Sequence, residues 1–355
     1  MSISSIALPL AASLTTQPGA ATAPTTNSPQ GTDAVGGIFL LSVLFFTFLA
    51  VRLTKRFGIF RGETILGPDR LSEPGNDGPL LLALFVTVCV WLASQTAYIG
   101  LKQSQWKAAG LHVEPAKVES MLGPRDMAFL STVPPIIGFV LMLIIGRFMG
   151  PQWLPQLGLR VSKIGRGILV GLASFLVIGP LMFWSLIVLN QVYEAIGFKH
   201  PPEHVLLKSL GQAEQSNAAI FIALGATVCA PLFEELIFRG HLQTLLKHIV
   251  LKFSMPSRPI VNDLGLPPLA IDDATGRIVT PQLGRPILAS WAAILLTSAL
   301  FAMVHPMWMW PPIFVLSLGL GYVYERTGNL WANVTIHSLF NLFNTIQYLM
   351  MIRGH

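Results

Sequence analysis

Apolar residues in this chain fall into blocks close to the ~20 positions a membrane-crossing helix needs, and short stretches between the blocks hold nearly all the charge. Eight blocks can be drawn, at about 36–51, 79–101, 127–148, 164–189, 218–240, 286–304, 312–324 and 330–351. The first is closed by Arg52, Lys55 and Arg56, and the seventh is short. Pro134-Pro135 falls inside the third block as a kink and Gly179-Pro180 inside the fourth. The fifth should run on as helix toward Val250. The pattern predicts an all-α fold, a polytopic transmembrane bundle of about eight spans, with no internal repeat.

The segments outside the blocks divide the chain. Residues 1–35 form a tail rich in Ala, Thr and Pro. The absence of Lys or Arg before Arg52 denies it the basic start of a signal peptide, so it reads as disordered. Residues 36–200 supply N-terminal transmembrane helices, and 201–351 form a second group with a loop insertion at 251–285. That loop is rich in Pro, Gly and Asp and reads as irregular surface chain. Residues 204–210 could form an amphipathic turn at the membrane interface.

Composition removes the soluble alternative. Hydrophobic residues make up 52% and charged residues 11%, against about 25% charged in soluble domains. Mean hydropathy is +0.62. The net charge of +6 does not indicate nucleic acid, because Lys and Arg flank the apolar blocks, where they set topology. With the N-terminus outside, one side collects Arg52 to Arg70, Arg147 to Arg166, Arg239 to Arg285, and Arg326, the larger share. Both termini are therefore expected outside, in a multi-pass protein of the plasma (inner) membrane. Cys89 and Cys229 both fall in apolar blocks and read as packing residues rather than a disulfide.

One block carries charge where none should be. Within 229–240, Glu234, Glu235 and Arg239 would each cost roughly 2.5–3.5 kcal/mol at the centre of a membrane helix. Glu235 and Arg239 are four apart, share a helix face and can pair. Glu234 points about 100° away and remains as a carboxylate able to act as a base. The bland reading is a buried ion-pair staple with Glu234 merely hydrogen-bonded.

Further polar residues interrupt later blocks. His305 follows Phe301 at the end of the sixth, while His337 and Asn341, four apart, share a face of the eighth. Singly, each reads as an interhelical hydrogen bond. Together with Glu234 they make a hydrolytic set. A carboxylate and an imidazole can activate water, and a second imidazole with an amide can stabilise an oxyanion. The same residues could hold a metal whose bound water is the nucleophile. Glu234, His305 and His337 are the candidate ligands and zinc the candidate ion, Asn being a poor zinc ligand. His241 and His248 follow Glu234 at intervals of seven but lie beyond the apolar run, and read as interface residues. The chain has no His-Glu-x-x-His and no Gly-x-Ser-x-Gly motif.

In order, Glu234-Glu235…Arg239, Phe301…His305 and His337…Asn341 resemble the motifs of the CPBP family, the CAAX proteases and bacteriocin-processing enzymes also called Abi proteins. The resemblance covers about 217–348. It implies an intramembrane endopeptidase, a glutamic or metallo protease, in which Glu234 and His305 activate water and His337 and Asn341 form the oxyanion site. Glu235, Arg239 and Phe301 would support them. The implied partners are the lipid bilayer and a peptide or membrane-anchored, CAAX-type protein substrate. The rival is a non-enzymatic membrane scaffold or bacteriocin-immunity-type protein in which the polar cluster is structural.

Overall fold

The computed structural model describes residues 77–114, 117–199, 205–213, 216–254 and 285–353, with positions 45, 48, 52, 270, 271, 278 and 279. The block at 36–51 and the N-terminal tail lie outside the described residues, apart from those isolated positions. Among the described residues the longer helices are α1 (Asp77–Ala108), α2 (Pro124–Met149), α3 (Ile164–Ala195), α4 (Val205–Gln212), α5 (Asn217–Phe253), α6 (Arg285–Met303), α7 (Trp310–Thr327) and α8 (Leu330–Arg353). The expected helical bundle is borne out. A two-residue antiparallel ribbon, Ala270–Ile271 with Ile278–Val279, lies within the 251–285 insertion, which had been expected to be wholly irregular.

Among the described residues, five helical stretches are long and apolar enough to cross a membrane: Asp77–Ala108, Pro124–Met149, Trp153–Ala195, Asn217–Phe253 and Met307–Thr327. Leu288–Met303 is a shorter apolar helix. The count of about eight is thus not confirmed among the described residues. α8 falls outside the five because Asn333, His337, Asn341 and Asn344 lower its hydropathy. The seventh block is longer than its apolar run suggested, because the turn before Trp310 extends it.

α4 also departs from expectation. Leu210 is buried in a cluster with Leu122, Met127, Ala213 and Ile222, so the helix packs on the bundle instead of lying only on a lipid surface. A membrane offers little hydrophobic drive for helices to associate, so close backbone approach at small residues has to supply it. Gly167 and Gly171 of α3 lie against Trp331, Ala332 and Thr335 of α8, and Gly225 of α5 against Ser131 of α2. Two left-handed glycines, Gly158 (φ 88°) and Gly328 (φ 55°), meet where the chain entering α3 touches the α7–α8 turn. Either would be strained as any other residue.

α5 and α7 run parallel in a fixed stagger. Arg239 meets Ser317, Gln243 meets the Gly321 carbonyl and Lys247 meets Glu325, each pair one turn further along both helices. α8 runs antiparallel to α5: His337 faces Glu235, while Asn341 faces Ala226. Between them lies a core of Ile178, Met182, Phe301, Leu316, Leu320 and Ile336, drawn from α3, α6, α7 and α8.

Candidate active site

The site forms on α5, which is not a uniform α-helix. Two π-helical stretches, Gly225–Cys229 and Leu236–Gln243, flank the α-helical turn Ala230–Glu235. The first immediately precedes Pro231, which has no N–H and whose ring crowds the carbonyl of Thr227 at α spacing. Local widening relieves that crowding. In the second, the side chains of His241 and Thr244 reach back five residues, to the carbonyls of Leu236 (3.0 Å) and Arg239 (3.4 Å). π-stretches of this kind concentrate at functional sites. Here they hold Glu234 and Glu235 between them.

Glu235 is wholly committed. It is fully buried, and its Oε1 accepts from Arg239 Nη1 at 3.1 Å and from His337 Nδ1 at 2.8 Å. Asn333 Nδ2 lies 3.5 Å from its Oε2 and donates to the Leu320 carbonyl at 2.7 Å. The expected Glu235–Arg239 pair is therefore present. Arg239 in turn donates to Ser317 Oγ at 2.8 Å and stacks 4.5 Å above the Phe301 ring. These contacts engage Nη1 and Nη2, while the buried Nε has no hydrogen-bond partner among the described residues.

Glu234 differs. It is buried, yet its Oε2 accepts no hydrogen bond from the protein. Nε2 of His337 lies 3.9 Å from that oxygen. A carboxylate can only accept, so the bond to Glu235 places a proton on His337 Nδ1 and turns Nε2 toward Glu234. One water could span that separation.

Phe301 joins the remaining pieces. Its ring lies 5.8 Å from that of His337, edge-on, and 4.8 Å from that of His305. His305 sits just past α6, where its Nδ1 donates to the Phe301 carbonyl at 2.7 Å and its own carbonyl accepts from Trp310 Nε1 at 2.9 Å. Asn341 lies one turn along α8 from His337 and donates to the Ala226 carbonyl at 2.7 Å, within the first π-stretch. Among the described residues, no three His, Cys, Asp or Glu side chains converge to hold a metal ion. Glu234, His305 and His337 do not form a ligand set in this arrangement.

His241 and His248 are both buried against neighbouring segments. α1 and the chain before α3 cover that face of α5: His248 Nδ1 lies 2.8 Å from Asp77, and the His241 ring stacks obliquely 6.4 Å from Trp153. Two contributors were missed. Asn333 lay in reach of sequence reasoning, being four residues before His337 on the same face of α8. Ser317 carried no such signal.

Residues 216–343 match the family model for type II CAAX prenyl endopeptidase Rce1-like proteins. The chain carries an Rce1-like domain. The expected family is thereby borne out, and the chain is an integral membrane protein with a domain from a protease family. No curated protein and no solved structure gives a significant match. The Rce1-like domain takes in α5, α6, α7 and most of α8, and with them Glu234, Glu235, Arg239, Phe301, His305, His337 and Asn341. α1, α2 and α3 lie outside the matched range but pack on it directly: Trp91 of α1 stands 5.2 Å from Phe233, the residue before Glu234.

Proposed function

We propose that the chain is an intramembrane endopeptidase of the plasma membrane that hydrolyses a peptide bond in a membrane-associated, CAAX-type protein or peptide. The observation that carries this reading is the buried Glu234 carboxylate, left without a protein hydrogen bond beside His337 Nε2. A structural staple would satisfy both carboxylates; here only Glu235 is satisfied.

Glu234 is the general base. It takes a proton from a water shared with His305, and the resulting hydroxide adds to the scissile carbonyl carbon as the carbonyl pair moves onto oxygen. His337 Nε2 and the second amide hydrogen of Asn341 donate to that oxygen. In this role His337 carries protons on both nitrogens, with a carboxylate on each side to balance the charge. Collapse re-forms the carbonyl and breaks the C–N bond, and Glu234 returns its proton to the departing amine. Glu235 and Arg239 orient His337, and Phe301 spaces the two imidazoles. No step is routed through a metal, because the donors do not converge on one.

The test is Glu234→Gln in liposomes, assayed on a CAAX-type peptide. Loss of a general base is expected to lower the rate by about 10²–10⁴-fold with no change in thermal unfolding. Full activity in this variant would remove Glu234 as the base, and absence of cleavage by the wild-type protein would favour the scaffold. A wild-type activity abolished by chelator and restored by zinc would move the nucleophile onto a metal.

A further inference from the structure

Arg239 Nε, Gln243 Oε1, Thr297 Oγ1 and Ser298 Oγ are buried polar atoms without a hydrogen-bond partner among the described residues. The four residues are at most 1% exposed. The register of the helices brings them to one level. Arg239 and Gln243 stand one turn apart on the face of α5 that meets α7. α6 runs antiparallel to α7: Ser290 bonds to Glu325, and Trp291 stacks on Tyr322. A Cβ at Gly321 would lie 3.1 Å from Gln243 Oε1 and 3.1 Å from Ile294 Cγ2, so Ile294 stands at the height of Gln243. Two turns further along α6, the Phe301 ring lies 4.5 Å from the Arg239 guanidinium. Thr297 and Ser298 fill the turn between these two contacts, beside the Arg239–Gln243 turn of α5.

A hydroxyl in an apolar helix ordinarily satisfies itself on the carbonyl one turn back. Thr132, Thr227, Thr335 and Thr345 do so, at 2.6–2.8 Å. Thr297 and Ser298 do not. Gln243 commits its amide nitrogen to the Gly321 carbonyl at 3.0 Å, which fixes its oxygen as the open end. The set therefore holds one obligate donor, one obligate acceptor and two hydroxyls able to act as either. Buried groups of this kind are paired with protein or with a bound polar species. An anion would be repelled by Gln243 Oε1 and would meet an arginine already neutralised by Glu235. A metal cation would be repelled by the guanidinium. Water fits, because it accepts from an N–H, donates to an amide oxygen and makes about three hydrogen bonds when buried.

We infer that the turn of α6 between Ile294 and Phe301 holds an internal water that accepts from Arg239 Nε and donates to Gln243 Oε1, with the Thr297 and Ser298 hydroxyls completing its shell. Glu235 and Ser317 engage Nη1 and Nη2 of the guanidinium. The water takes up its Nε–H and ties α6 to the ladder between α5 and α7. This water stays bound and is not the one consumed in hydrolysis. The assignment is independent of the proteolytic reading.

Thermal unfolding of the full chain in detergent tests the site through the sign of a shift. Thr297→Val keeps the side-chain shape and removes the hydroxyl. A hydroxyl bonded to water stabilises the fold, so its loss should lower the unfolding temperature by about 2–4 °C. An unpaired buried hydroxyl destabilises it, so a raised or unchanged temperature would overturn the site. Ser298→Ala should also lower the temperature, and it decides if the valine variant fails to fold. The direct check is a cryo-electron microscopy map of the full chain, held by a rigid antibody fragment, at a resolution that shows ordered water. A peak is expected within hydrogen-bond distance, about 2.7–3.2 Å, of both Arg239 Nε and Gln243 Oε1. Direct contact between those two atoms, or no peak between them, would overturn the assignment.

Discussion

Glu234 and Glu235 are chemically identical neighbours whose surroundings separate them. Glu235 has three polar contacts, one of them from an arginine, whereas Glu234 has an imidazole nitrogen just beyond hydrogen-bond reach. Mutations should separate them likewise. Arg239→Ala strands a buried carboxylate and should cost about 3–5 kcal/mol, seen as a lower unfolding temperature in detergent; Glu234→Gln strands nothing and should leave that temperature alone. Arg239→Lys should fall between, since a lysine cannot reach Glu235 and Ser317 with two parallel donors while stacking on Phe301. At this scale the sequence was informative about charge. An i,i+4 pair next to an odd carboxylate is readable from spacing alone. It was silent on Ser317 and on which imidazole stands against Glu234, because both depend on helices that meet only after folding.

At the scale of elements, the apolar blocks placed the helices well, since period and length are local properties. Hydropathy does not encode the widening of α5 into two π-stretches, although Pro231 marks one of them. The same gap explains His241 and His248. Spacing by seven put them near the face of Glu234, but burial was settled by α1 and the chain before α3, remote in sequence. Glycine carries the contact between α3 and α8. A side chain at Gly171 would meet the Ala332 carbonyl at 2.8 Å and Thr335 Cβ at 2.5 Å, so Gly171→Leu should destabilise by about 1–3 kcal/mol or more. Gly165→Ala, six residues earlier with nothing near its Cβ, should stabilise by about 0.5–1 kcal/mol through helix propensity. Thermal unfolding of the two variants should shift in opposite directions.

The whole molecule does not follow the boundary of its recognisable family segment. Residues 216–343 hold every candidate catalytic group, yet Gly225 rests on Ser131, Phe233 on Trp91, and Ala332 on Gly171. A fragment of residues 216–355 made alone should therefore be inactive and polydisperse in size-exclusion chromatography. Co-expression with 1–215 should restore a single species. The N-terminal half offered no motif to sequence reading because its contribution is shape, made of glycines and apolar side chains common to helical bundles.

The ladder between α5 and α7 also bears on how the protein is made. Arg239, Gln243 and Lys247 each wait 78 residues for their partners, which at ribosomal speed is about 4–16 s. During that interval α5 enters the bilayer with two carboxylates and a guanidinium but without Ser317, Asn333 or His337. The bond between Glu235 and Arg239, contained within one turn, is the one neutralisation already in hand. A contact that later orients an imidazole thus first serves as the passport of a charged helix into lipid.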